Sequence, residues 1–173
     1  MRFFAKIPVL VWFLIPTLII VVVGIFAISK MSAGGTKDET RPEAVSSPVE
    51  GTQDYDIVSR THIAEGTNGS GYISNPPTSG PHWASPAAKG FSETPLLDER
   101  AIHNLEHGYI WIAYKPEVGE DAINKLKEIV NEDDYKVIMT PREANDSKIA
   151  LVAWGRVLKM DSLDEQKVKD FIR

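Results

Sequence analysis

Apolar residues in the second half of the chain fall in short runs that predict the strands of a sheet. Residues 109–114 and 149–154 are apolar on both faces and rich in β-branched and aromatic side chains, which is typical of buried strands. Residues 135–139 have the same character and stop before Pro141. Residues 156–160 would extend the strand at 149–154.

Two further segments have the spacing of amphipathic helices. Residues 119–130 repeat apolar side chains at helical intervals, with Glu120 and Asp121 in the first turn, where negative charge is favoured. Ser162 and Glu165 have the spacing of a capping box that opens a final helix. The pattern predicts an α+β fold, with a mixed or antiparallel sheet and two helices covering one face.

The N-terminal segment has the pattern of a membrane anchor. Residues 8–29 are apolar and uncharged, which is long enough to cross a hydrocarbon core of about 30 Å. Arg2 and Lys6 precede the span and favour a cytoplasmic N-terminus. We predict a signal anchor at residues 1–30, one pass through the lipid bilayer, and an extracytoplasmic C-terminal domain. A cleaved signal peptide is the alternative, although its apolar core is usually shorter.

Between the span and the regular half lie two segments of different composition. Residues 31–55 are small, polar and charged, which predicts a flexible linker. The domain is predicted to occupy residues 56–173 and to begin with a strand at 55–62. A long run rich in Gly, Pro, Ser and Asn then follows, and such runs in compact domains are more often functional than idle.

Charge and cysteine content exclude several classes of function. The chain has 19 Lys and Arg against 24 Asp and Glu, so no basic surface for nucleic acid is expected. It has no cysteine, which excludes disulfides, thiolate metal sites and a cysteine nucleophile.

The chain has four histidines, and all of them lie between residues 62 and 107. Imidazole is the commonest protein ligand of transition metals. The cluster therefore predicts a copper or zinc site built from nitrogen and oxygen donors, with the ligands His62, His82, His103 and His107. The prolines between residues 76 and 81 would form a stiff support for His82.

Glu106 and Met139 are candidates for secondary roles at this site. Residues 103–107 read His-x-x-Glu-His, the signature of inverted zinc peptidases, in which the Glu is the general base. Gly108 follows at once and leaves too little helix for that arrangement. We therefore expect Glu106 to orient a histidine or to bind the metal itself. A Met139 thioether near the imidazoles would favour copper.

Two other functions remain open from the residues alone. One is a recognition module for a protein or the cell wall, without metal, whose surface would combine the proline-rich loop with Tyr72, Trp83, Tyr109 and Trp111. The other is a metallohydrolase with Glu106 as general base. We favour metal binding over catalysis, and the sequence identifies no protein partner.

Three stretches together resemble the uncharacterised domain-of-unknown-function family 3105. They are NPPTSGPH at residues 75–82, IHNLEHG at 102–108 and ALVAWGR at 150–156. The resemblance covers the chain from about residue 56 to its end, and a membrane anchor with a tether is typical of the family. It implies that His82, Glu106 and His107 lie at motif positions, and it implies no activity.

Overall fold

The computed structural model describes residues 48–132 and 136–173. Three α-helices, one short 3-10 helix and eight strands lie in this part of the chain. In chain order they are β1 (Thr52–Asp54), β2 (His62–Ile63), β3 (His82–Trp83), β4 (Gly90–Phe91), α1 (Asp98–Glu106), β5 (Ile110–Tyr114), the 3-10 helix (Pro116–Val118), α2 (Glu120–Glu132), β6 (Val137–Pro141), β7 (Ile149–Ala153), β8 (Arg156–Met160) and α3 (Glu165–Ile172).

Six of the strands form one mixed sheet in the order β1-β8-β7-β5-β6-β4. The central strand β5 is buried along its whole length, as its apolar sequence predicts. It pairs in parallel with β6 and antiparallel with β7. The strands β2 and β3 form a separate parallel pair. The α+β class and the mixed sheet are confirmed.

Alternate residues of β5 point into two different apolar clusters, because successive side chains of a strand lie on opposite faces. Ile112 packs with Leu126 of α2 and Val168 of α3 in the first cluster. Trp111 packs with Leu105 of α1 in the second. The two helices predicted from periodicity therefore share one face of the sheet. The third helix, α1, covers the other face together with the irregular segment before it.

Three local predictions are wrong, two because of a hydrogen bond to a side chain and one because of a turn at a glycine. Residues 55–61 form no strand; in this segment the Val58 amide donates to the side chain of Ser79 at 3.0 Å. Residues 156–160 do not prolong β7, because the chain reverses at Gly155 (φ 75°) and β8 returns antiparallel. The last helix is capped by Asp164 rather than Ser162, since its carboxylate accepts from the Lys167 amide.

The predicted membrane anchor at residues 1–30 lies outside the described residues. Within the described part of the chain, no helix is long and apolar enough to cross a membrane. The sheet begins at β1, inside the segment predicted as a linker, because Thr52–Asp54 pairs with β8. The linker residues before 48 are also outside the described part.

Candidate metal centre

Two of the histidines meet because they occupy the same register position of the parallel pair β2 and β3. His62 and His82 are direct partners across the two strands. The His82 amide also donates to the Thr61 carbonyl at 3.1 Å, which holds the strands together at this point. The two rings lie 5.0 Å apart, centroid to centroid, in an edge-on arrangement. A contact between residues twenty positions apart in the sequence is thus set by backbone pairing.

Helix α1 adds one imidazole and one carboxylate to this pair. His103 and Glu106 are three residues apart, so they project from the same side of the helix. The His103 ring lies 5.3 Å from that of His62 and 5.5 Å from that of His82. Gly108, with φ 78°, follows the helix and turns the chain into β5. The helix ends at Glu106, and His107 is its C-terminal cap.

Four side chains offer ligand atoms that all lie within 4.8 Å of one another: His62, His82, His103 and Glu106. Zinc binds nitrogen and oxygen donors at about 2.0–2.2 Å in a tetrahedron, which separates neighbouring donors by about 3.4 Å. Glu106 Oε2 lies 3.1 Å from His82 Nε2 and 3.8 Å from His62 Nε2. These two distances lie on either side of the separation that one tetrahedral ion requires. Small side-chain rotations would bring the donor atoms to that separation.

The hydrogen bonds of His82 determine which of its nitrogens can bind an ion. Its Nδ1 lies 2.7 Å from the Gly80 carbonyl, which can only accept, so Nδ1 carries a proton. In the neutral ring, Nε2 then carries a lone pair that faces the Glu106 carboxylate. Two acceptors at this distance need a proton or a cation between them. A backbone carbonyl that holds the far nitrogen of a ligating histidine is a common feature of metal sites.

His103 is in the protonation state that metal binding requires. Burial lowers its pKa, and the neighbouring rings of His107, His82 and His62 lower it further, so the ring is neutral at physiological pH. Its Nδ1 is buried and has no hydrogen-bond partner among the described residues. A buried polar atom without a protein partner destabilises the fold unless a bound water or ion serves as its partner.

The turn that precedes His82 is tightly packed against Tyr72, and this packing positions the histidine. Gly80 has φ 135°, and a Cβ at this position would lie 2.7 Å from the ring of Tyr72. The Tyr72 hydroxyl donates to the Pro81 carbonyl at 2.8 Å. Burial raises the pKa of Tyr72, so the hydroxyl keeps the proton that it donates. The His82 side chain itself is fully buried.

An arginine network ties the start of the same loop to the start of α1. Arg142 donates to both carboxylate oxygens of Asp98, at 2.8 and 2.7 Å. It also donates to the side chains of Asn75 at 2.7 Å and Asn145 at 3.0 Å. Because the loop carries His82 and the helix carries His103, this network connects the two halves of the site.

One side of the four-residue group is open to solvent. The His62 side chain is 50% exposed, while that of Glu106 is 16% exposed. Arg60 reaches Glu106 Oε1 at 3.4 Å and lies over the Trp154 ring at 5.2 Å. The carboxylate is therefore shared between a guanidinium on one oxygen and the imidazoles on the other. Nothing in the sequence pattern marked Arg60 as part of this region.

Two residues predicted at the site lie outside the four-residue group. His107 is exposed at the C-terminal end of α1, with its ring 4.7 Å from that of His103. Met139 is fully buried in the apolar cluster with Leu126, whereas its neighbour Ile138 faces the α1 side. The Met139 thioether therefore packs among apolar side chains of that cluster and is not one of the grouped side chains.

Similarity to known proteins identifies the family but no activity. The family model described as "Protein of unknown function (DUF3105)" matches residues 62–173, which include all four members of the group and His107. The chain belongs to the DUF3105 family. This confirms the resemblance inferred from the sequence. No curated protein and no solved structure is significantly similar to the chain.

Proposed function

We propose that this DUF3105 domain binds one divalent transition-metal ion through His62, His82, His103 and the carboxylate of Glu106. The observation that carries the proposal is the contact between His82 Nε2 and Glu106 Oε2 at 3.1 Å. Because His82 Nδ1 is occupied by the Gly80 carbonyl, an ion would satisfy both facing acceptors. The same carboxylate oxygen also faces His62, and the buried His103 ring lies beside both.

Zinc suits this donor set best, and copper is the competitor. Three neutral imidazoles and one carboxylate are borderline to hard donors, which zinc binds in tetrahedral sites. A thioether ligand would favour copper, but the Met139 thioether packs in the apolar cluster with Leu126. Divalent copper also binds imidazole strongly, so both metals belong in the test.

The arrangement favours a structural or carrier site over hydrolysis. An inverted zinc peptidase binds its metal through both histidines of His-x-x-Glu-His and keeps the glutamate free as a base. Here His107 is outside the group, and Glu106 supplies one of its ligand atoms. Four protein ligands leave no position for an activated water in a tetrahedral site.

The metal-free recognition module has less support. Two of the aromatic side chains assigned to that surface, Trp83 and Trp111, are only 7% and 0% exposed. Pro76 and Pro77 are also buried, so the proline-rich loop packs inward rather than presenting itself to a partner. Its residues support His82 instead.

The metal site is proposed for a protein anchored in the membrane by residues 8–29, with its N-terminus in the cytoplasm and this domain outside. The support is the length of the uncharged span and the preceding Arg2 and Lys6. Intact-mass measurement of the membrane-purified chain tests retention of the span. A mature N-terminus near residues 30–35 would show that the segment is cleaved.

Metal titration of the full-length chain tests the proposal. We expect one Zn²⁺ or Cu²⁺ per chain at neutral pH, measured by elemental analysis after gel filtration. Loss of a residue that only orients a ligand lowers metal affinity on the order of 10–100-fold. Because His82 is proposed to bind the ion itself, His82→Ala should lower the affinity by more than this. Glu106→Gln should also weaken binding. Glu128→Gln is the matched control, because this carboxylate is exposed on α2, on the opposite face of the sheet.

Absence of stoichiometric uptake of either metal would overturn the proposal. Hydrolysis of a panel of peptides and esters by the metal-loaded chain gives a second check. Turnover that is abolished by Glu106→Gln, with metal occupancy unchanged, would show that Glu106 is a catalytic base rather than a ligand.

A further inference from the structure

His103 has imidazole neighbours on two sides, and only one side belongs to the four-residue group. Its ring lies 5.3 and 5.5 Å from the rings of His62 and His82. On the other side the ring of His107 lies 4.7 Å away. This separation is shorter than any between the three imidazoles of the group, which are at least 5.0 Å apart. By distance alone, His103 and His107 could therefore bind one ion as well as any pair within the group.

The backbone explains why these two rings are close. His103 and His107 are four residues apart, about one turn, and the His107 amide still donates to the His103 carbonyl at 3.3 Å. Side chains at this spacing lie one above the other on the same face of a helix. The pair therefore forms with the last turn of α1 and needs no contact with the loop that carries His82.

Solvent exposure decreases from His107 through His103 to His82. His107 is exposed, His103 is 8% exposed and His82 is fully buried. A hydrated ion arriving from solvent can thus reach His107 first, and it reaches His82 only after it has lost most of its water. The other open side offers one exposed imidazole, His62, and there the guanidinium of Arg60 already contacts Glu106 Oε1 at 3.4 Å. The Lys136 ammonium also lies near His107 and donates to its backbone carbonyl at 3.0 Å.

We propose that His107 and His103 form a loading pair, through which the metal ion enters and leaves the four-residue group. This inference rests on the proposed metal site. The ion first binds the two rings of the pair and releases two of its waters. His62, His82 and Glu106 then replace His107 and the remaining waters, while His103 stays within reach of both positions. Transfer into the group would release His107 and all the remaining waters, so the ion would go from about six ligands in the hydrated state to four protein ligands, with no redox change.

This pathway makes a kinetic prediction that differs from that of an ordinary ligand. His107 binds the ion only on the way in and out, so its loss slows loading and release equally and leaves the dissociation constant unchanged. With His107→Gln in the full-length chain, we expect the rate constants for Zn²⁺ loading and release each to fall on the order of tenfold, because the dissociation constant is their ratio. Loading is followed in stopped flow, and release by transfer to an excess of a zinc-chelating dye.

A second variant separates metal chemistry from shape. His107→Glu has nearly the same size as His107→Gln but carries a group that binds zinc. It should keep release close to the wild-type rate, whereas Gln should not. Equal release rates for the Gln and Glu variants would overturn the proposal, as would Gln rates equal to those of the wild type.

The test also distinguishes this inference from the metal site on which it rests. If the wild-type chain takes up no Zn²⁺, both proposals fail. If the wild type binds but the Gln variant has unchanged rates, only the loading pair is wrong. If the Gln variant loses affinity with an unchanged loading rate, His107 belongs to the resting ligand set, and both the loading pair and the four-residue group are wrong.

Discussion

The two faces of the central sheet are built by different means. One face is covered by α2 and α3, and its contacts are those of an apolar cluster that includes Leu126, Leu151 and Phe171. The other face is covered by α1 and the irregular segment before it. There a smaller apolar cluster is surrounded by hydrogen bonds between side chains and backbone, such as those of Asn104 with both backbone groups of Ala87.

The difference separates where stability and chemistry reside. Apolar packing is non-directional, and it holds the helices without specifying the angle of any ring. The metal centre instead needs imidazoles at set orientations, and the buried His82 ring is held by a directional contact, the hydrogen bond from its Nδ1 to the Gly80 carbonyl. We call the face covered by α2 and α3 the helical face, and the face covered by α1 and the irregular segment the loop face. We therefore expect substitutions on the helical face to change stability alone. Substitutions on the loop face should change stability and metal affinity together.

The largest loss of stability is expected on the helical face. Leu126 is fully buried between α2 and the sheet, so Leu126→Ala should lower the free energy of unfolding by about 2–5 kcal/mol. Zinc affinity of the folded chain should be unchanged. Urea unfolding and zinc titration of the same preparation measure the two quantities. A weakened zinc site in this variant would show that the faces are coupled.

A somewhat smaller loss, now with an effect on the metal, is expected for Arg142→Met. The substitution leaves the Asp98 carboxylate without its two-point partner, which should cost about 3 kcal/mol. Zinc affinity should fall too, because Arg142 ties the loop of His82 to the helix of His103. Arg156→Met is the control: its ion pair with Asp54 is exposed and should contribute about 1 kcal/mol or less. Equal effects of the two variants would refute the role of the Arg142 network.

Gly80→Ala tests the turn that aims His82. The positive φ and the close approach of Tyr72 should cost about 1–3 kcal/mol, and the displaced His82 ring should bind zinc more weakly. Gly119→Ala provides the comparison. Gly119 also has a positive φ (98°), but a Cβ there meets nothing within 4 Å. It lies before α2, so zinc affinity should not change. Unaltered zinc binding by the Gly80 variant would mean that the turn does not orient the ligand.

The smallest effect belongs to the cap of α3. Asp164→Ala removes the carboxylate that accepts from the Lys167 amide, at a cost of about 1 kcal/mol. Thermal unfolding should report this loss, while zinc affinity stays that of the wild type. A change in affinity here would contradict the separation of the two faces.

The helical face was predictable from the sequence because its information is local. The apolar periodicity of α2 and the continuous apolar run of β5 each lie within one element. The exact cap of α3 was not predictable, since Ser162 and Asp164 are both good caps and packing decides between them. Helix α1 was missed because buried polar residues, Glu99, His103 and Asn104, break its apolar pattern.

The candidate site was predictable in its residue types but not in its membership. Histidine clustering identified three of the four grouped side chains, and His107 was included because spacing does not report exposure. The pairing of His62 with His82 depends on strand register between distant segments, which no local pattern encodes. Arg60 and Tyr72 act through contacts that exist only in the folded chain.

Anomalous X-ray scattering at the zinc edge, from crystals of the zinc-loaded full-length chain, tests the metal centre most directly. The proposed metal centre predicts one strong peak at about 2.0–2.2 Å from His82 Nε2, from one nitrogen each of His62 and His103, and from Glu106. His82 Nδ1 should still donate to the Gly80 carbonyl. A peak bound by His103 and His107 without His82, or no peak at these residues at full zinc loading, would contradict it.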